Sequence, residues 1–128
     1  MKSNVLIDTD VLIDFLRRLP AAVDFVDNLP VAPAISAISV AELYSGVRDG
    51  SERRDLDEMI DWAEVIDVNR EIACRGGLYR RDFYRSHGVG VNDAMIAATA
   101  ELTGKSMVTL NRKHFPMLDE VFVPYQKS

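Results

Sequence analysis

Five short apolar runs set the architecture of this chain: "NVLID", "APAISAIS", "EVIDV", "SMVTL" and, more weakly, "VFVP". None is long enough for a helix, and stretches with helical spacing of apolar residues lie between them. Runs that are apolar throughout, without polar alternation, suit a parallel sheet covered on both faces. Strand alternating with helix therefore predicts a single α/β domain over residues 1–128, with a central parallel sheet of four to five strands flanked by helices.

The helical stretches carry their own boundaries. Leu12, Leu16 and Leu19 recur at helical spacing until Pro20, which opens a second helix whose Val23, Val26 and Leu29 share a face before Pro30 ends it. Val40, Leu43 and Val47 form the stripe of a third. Ser51 is placed to cap a fourth, with Leu56, Met59 and Ile60 as its apolar face, either core or a partner surface. Asn69 is placed to cap a fifth helix, and the glycine-rich "SHGVGVN" separates it from a sixth, capped by Asn92 and stopped by Gly104.

Composition excludes several classes. No run approaches the roughly 18 apolar residues of a membrane span, and the opening "MKSNVLIDTD" reaches an acid before a signal-peptide apolar region forms. The expectation is a soluble, cytoplasmic protein with no membrane partner. Cys74 is the single cysteine, which rules out an intrachain disulfide and argues against a thiolate metal cluster; it is expected to be a small buried hydrophobe. The net charge of −5 argues against a general nucleic-acid coat. Charge is unevenly spread, however. Residues 49–67 hold eight acids against Arg53 and Arg54, whereas residues 69–90 hold Arg70, Arg75, Arg80, Arg81 and Arg85 against Glu71 and Asp82. These are either two solvated helix faces or an arginine surface for a polyanion.

Against this background "VLIDTDVLIDFL" places Asp8, Asp10 and Asp14 inside an apolar segment. In an open parallel sheet, ligands gather outside the carboxyl ends of the strands. Asp8 closes the first strand and so lies at such an end. Asp10 is placed as the N-cap of the next helix, and Asp14, opposite Leu12, Leu16 and Leu19, is expected to face solvent. Glu42 falls in the first turn of the helix after the second strand, where Ser39-Val40-Ala41-Glu42 also fits a capping box. Asp93 follows Asn92 in a first turn, where the helix dipole alone favours an acid. Each acid has an adequate local explanation. Together Asp8, Glu42 and Asp93 converge on one rim of the sheet, where like charges raise one another's pKa or call for a cation. Oxygen ligands without histidine or cysteine select Mg²⁺ or Mn²⁺ over zinc, and such an ion points to phosphodiester chemistry.

Four segments add a family resemblance that spans essentially the whole chain. "VLIDTDVLIDFL", "ISVAELYSGV", "VNDAMIAATA" and "MVTLNRKHF" resemble, in order, the signatures of the PIN domain, and within it the VapC-type ribonuclease toxins of bacterial toxin–antitoxin pairs. The resemblance implies an acidic triad of Asp8, Glu42 and Asp93, with Asp8 and Asp93 as direct metal ligands and Glu42 binding the ion or orienting its water. Asn111 stands where many relatives have aspartate; it brings no charge, but its amide is suited to align a water or phosphate, beside the Thr109 hydroxyl. His114 is expected to be a partly buried neighbour of Phe115. The activity implied is a Mg²⁺-dependent endoribonuclease (Mn²⁺ as alternative) acting on structured RNA such as tRNA. Arg80, Arg81 and Arg112 are among the residues expected to hold the RNA backbone. The implied partners are RNA, a VapB-type antitoxin and a second copy of the chain as a homodimer. A DNA nuclease or phosphatase using the same acids, and a non-catalytic binding module, remain alternatives at this point.

Overall fold

The computed structural model describes residues 2–127. Its elements follow the expected order: β1 (Val5–Ile7), α1 (Thr9–Leu16), α2 (Pro20–Asp27), β2 (Ala34–Ser36), α3 (Ala37–Ser45), α4 (Ser51–Trp62), β3 (Glu64–Ile66), α5 (Arg70–His87), α6 (Val91–Leu102), β4 (Ser106–Val108), a single 3₁₀ turn (Arg112–His114) and β5 (Val121–Phe122). The strands form one parallel sheet in the order β3-β2-β1-β4-β5. The chain thus winds outward from β1 to β3, returns, and adds β4 and β5 on the other side. That reversal makes the carboxyl ends of β1 and β4 the topological switch point, the customary ligand crevice of such sheets.

Side-chain alternation in the strands explains why both faces are apolar. Leu6, Ala34 and Met107 are in register across β1, β2 and β4 and point to one face, where they pack with Ile96, Ala97, Ala100 and Phe115. Ile7, Ile35 and Val108 point to the other, against Val11, Leu12, Val26, Leu43, Leu56 and Met59. Leu56 and Met59 are therefore core, which decides between the two readings of that helix face, and Val26 is core with them.

Helix α6 is buried nearly all round, at Ala94, Ile96, Ala97, Ala98, Thr99 and Ala100. Its alanines let it lie between the sheet and α5. At the α5–α6 crossing, a Cβ on Gly76 would come within 2.5 Å of Met95 Sδ and 3.1 Å of Met95 Cα. Glycine is required there by close approach, while its neighbour Gly77 meets nothing.

Several local expectations change. Ser36, not Ser39, caps α3, accepting from Ile38 N (3.0 Å). The capping box fails because helix α3 begins three residues earlier than the motif implies. Gly50 and Gly90 occupy the cap positions assigned to Ser51 and Asn92, and Asp8, not Asp10, caps α1. Asn69 does cap α5, accepting from Ile72 N, and Gly88 ends it with φ 66°. Cys74 is exposed on α5. Asp14 is buried: its carboxylate accepts from Tyr125 Oη (2.8 Å) and Lys127 Nζ (2.9 Å), so the C-terminal segment clasps α1. Burial and this bond hold the Tyr125 phenol above its usual range.

The contrast at the α5–α6 crossing is directly testable. Gly76→Ala is expected to destabilise by about 1 kcal/mol, overpacking outweighing the gain in helix propensity. Gly77→Ala is expected to stabilise by up to about 1 kcal/mol. Denaturant melts of both variants check this; the same sign for both would mean that the crossing tolerates a methyl group.

Candidate active site

The sheet ends in a carboxylate. Asp8 continues β1 by donating its backbone N–H to Val108 O (2.8 Å), which binds the ends of β1 and β4 together. Its side chain then turns inward, and the residue is 7% exposed. Oδ1 accepts from Thr9 N (2.8 Å), and Oδ2 accepts from the hydroxyl of Thr109, the first residue after β4 (2.8 Å). The same hydroxyl approaches Asp10 Oδ2 (3.2 Å), which also accepts from Leu110 N (3.0 Å). A hydroxyl has one proton, so Thr109, at the end of β4, is shared between two carboxylates that both come from the β1–α1 side of the switch point.

Glu42 enters from α3. Thr9 Oγ1 donates to Glu42 Oε1 (2.7 Å) and also contacts Ser39 Oγ (2.9 Å), while Asn92 Nδ2 donates to Oε2 (3.3 Å). Glu42 is thus turned toward α1 and α6, not back onto its own helix. Asp93, in the first turn of α6, faces His114, whose Nδ1 lies 3.0 Å from Asp93 Oδ2. Asn111 contacts the same ring, and its backbone N–H donates to Thr109 Oγ1 (3.1 Å).

Electrostatics record how close the acids are. Desolvation, then the charge of Asp10 and, more weakly, that of Asp93, pushes the Asp8 carboxyl from an ordinary 3.8 up to about 7. Asp10 is raised chiefly by burial, and Asp93 by burial with the charges of Glu42 and Asp10 adding. Among the described residues, no three Asp, Glu, His or Cys side chains stand ready as they are to hold a metal ion. Each acid is instead engaged by a protein donor: Thr109, Thr9, Leu110, Asn92 or His114. The donor chemistry fits a hard divalent cation all the same. It consists of carboxylate oxygens only, crowded and short of positive charge.

The remaining sequence candidates separate. Arg112 is exposed beside the site and donates to Val121 O (3.3 Å). Arg80 and Arg81 lie on the exposed surface of α5; Arg80 lies over the Tyr84 ring, 4.3 Å from its centroid, and Arg81 pairs with Asp82 (2.9 Å). Arg75 is engaged by Glu101.

Residues 5–120 match the family model described as the PIN domain. The chain belongs to the PIN-domain family. It is 40% identical over 124 residues to Ribonuclease VapC10 of Mycobacterium tuberculosis, covering 94% of this chain and 92% of that protein. Ribonuclease VapC19 of the same organism is 36% identical, covering 94% of this chain and 98% of that protein. Among solved structures, a toxin–antitoxin complex from Klebsiella pneumoniae superposes with a TM-score of 0.83 at 27% identity, covering 96% of this chain and 99% of that one. DNA-bound VapBC from Salmonella typhimurium gives 0.76 at 28%, covering 94% and 96%.

In this PIN domain, sequence reasoning brought together Asp8, Glu42, Asp93 and Asn111 but undervalued two others. Asp10 reads locally as a cap, yet its position two residues after Asp8 and one after a β-branched threonine is a signal. His114 was assigned to packing; its link to Asp93 spans α6 and the 3₁₀ turn and leaves no mark in local sequence.

The raised Asp8 pKa has a defined consequence for the metal-free protein. A carboxyl raised on folding contributes its stability fully below the ordinary 3.8 and loses it as pH rises through about 7. Asp8→Asn, which cannot ionise, is expected to stabilise the EDTA-treated protein at pH 8 by a few kcal/mol, and the gain should vanish near pH 4. Thermal unfolding at the two pH values checks it; equal or lower stability of the variant at pH 8 would rule out a strained Asp8.

Proposed function

We propose that this PIN domain is a VapC-type ribonuclease toxin, a metal-dependent endoribonuclease paired with a VapB-type antitoxin. The observation that carries this reading is the convergence of Asp8, Asp10, Glu42 and Asp93 at the switch point, in a chain 40% identical to a named ribonuclease. Asp8 and Asp93 would hold Mg²⁺, or Mn²⁺ by the same oxygen preference, with Asp10 as a further oxygen donor. The chemistry a bound ion of this kind supplies is a more acidic water and a polarised phosphate.

The chain's own groups do the rest. Glu42, steered by Thr9 and Asn92, orients an attacking water and takes its proton. Thr109 holds Asp8 and Asp10 in register through one shared hydroxyl. Asn111 sits at the rim, exposed, beside Arg112, which meets the RNA backbone at the site. Arg80 and Arg81 hold the backbone farther out along α5. Bases are read where RNA is single-stranded or looped, and the resemblance to VapC-type toxins suggests that those loops belong to a structured RNA such as tRNA.

The similar solved structures from Klebsiella pneumoniae and Salmonella typhimurium are a toxin–antitoxin complex and a VapBC complex, which supports an antitoxin partner. A cavity of about 430 Å³ lined by Ile13, Leu16, Val47, Arg17, Arg48 and Glu42 offers such a chain a seat of mixed apolar and charged character beside an active-site acid.

Purified protein with Mg²⁺ is expected to cleave RNA and not DNA, with loss of cleavage in EDTA and in Asp8→Asn or Asp93→Asn by at least about a hundredfold. Gel analysis of total RNA and DNA checks this; metal-independent cleavage, or full activity of Asp8→Asn, would refute it. Arg80→Ala with Arg81→Ala is expected to weaken RNA binding and lower the slope of log K against log salt by about 1.5. An unaltered slope would remove that pair from the RNA surface.

A further inference from the structure

His114 sits on the acidic cluster itself. Its Nδ1 is 3.0 Å from Asp93 Oδ2, and the Asn111 amide nitrogen lies 3.2 Å from Nδ1 and 3.3 Å from Nε2. With a proton on Nδ1 the imidazole donates to Asp93, while the Asn111 amide nitrogen, almost equally near both ring nitrogens, rests against the ring. The arrangement is braced from below. His114 N donates to Asn111 O (3.1 Å), and Asn111 N donates to Thr109 Oγ1 (3.1 Å), the hydroxyl shared by Asp8 and Asp10. A continuous chain of contacts thus runs from Asp93 through His114, Asn111 and Thr109 to Asp8. The ring is not locked into the core: its side chain is 43% exposed and that of Asp93 28%.

We propose that His114 is a positioning residue that occupies the Asp93 carboxylate in the cation-free protein and must release it when a divalent cation binds, with Asn111 setting the strength of that competition. This rests on the reading of the acids as a cation site. The imidazole N–H draws on the Oδ2 lone pairs of Asp93, so a cation seated on that oxygen in the direction of the ring competes with the donor for it. The departure at position 111 then has a positive role. Asn111 supplies no charge to an ion; its amide steadies the ring that guards another ligand, which a carboxylate, having no N–H, would do differently.

The test is calorimetric titration of Mn²⁺ into the full chain stripped with EDTA, at one pH. His114→Ala is expected to bind Mn²⁺ about tenfold more tightly than the wild type, the size expected for losing a hydrogen bond to a charged group. Asn111→Ala should tighten binding by a smaller factor. His114→Gln, whose amide still donates to Asp93, should stay close to the wild type. A second readout needs no variant: Mg²⁺ should shift the His114 ring resonances as the ring leaves Asp93. Should His114→Ala fail to fold, Asn111→Ala carries the same sign. Unchanged affinity in the folded variants overturns the proposal, and weaker binding overturns it by making the ring a ligand. If Mn²⁺ binding is absent, or survives Asp8→Asn intact, the metal-site reading falls with it. Binding that depends on Asp8 but not on His114 overturns the competition alone.

Discussion

One carboxylate ties the sheet to the site. Asp8 lies at the end of β1, where its backbone joins β4, its side chain caps α1, and Thr109 and neighbouring acids surround it. Burying a carboxylate among like charges costs stability, and burial raises the pKa because the charged form loses water. Perturbed titrations of this kind concentrate at functional sites. Here the perturbation arises where the topology reverses, which is also where the backbone leaves a crevice.

Everything beneath that crevice serves to keep it in place. The three central strands contribute fully buried side chains to both faces, so their ends cannot shift without disturbing two cores at once. The small residues of α6 and the bare backbone at Gly76 let α5 approach closely. That packing holds the first turn of α6, and so Asp93 and Asn92, against the ends of β1 and β4. On the far side of α1, the buried Asp14 binds the C-terminal segment through Tyr125 and Lys127.

Charge on the surface follows a different logic from charge in the site. The acids of α4 are mostly solvated or matched locally, as in Arg53 with Asp49 and Asp57. The arginines of α5 are only partly committed, since Arg80 rests on an aromatic ring and Arg81 on its sequence neighbour. Exposed pairs of this sort contribute little to stability.

The sequence by itself determined the order of strands and helices, the parallel sheet and the starts of α2 and α5. These depend on short-range periodicity and on residues such as Pro20, Asn69 and Gly88, whose effect is confined to a turn or two. It also marked Asp8, Glu42 and Asp93 as acids on the carboxyl rim. Only the tertiary structure decided what those acids touch. Thr109 lies about a hundred residues from Asp8 and Asp10 in the chain, Asn92 fifty from Glu42, and Tyr125 over a hundred from Asp14. Asp14 is buried against the expectation because a helical wheel shows which face lacks leucines, not whether a distant segment covers it. Asp10 and His114 were undervalued for the same reason: a cap or a packing role is decided within a few residues, whereas a shared hydroxyl or an imidazole across a carboxylate exists only once the sheet has closed.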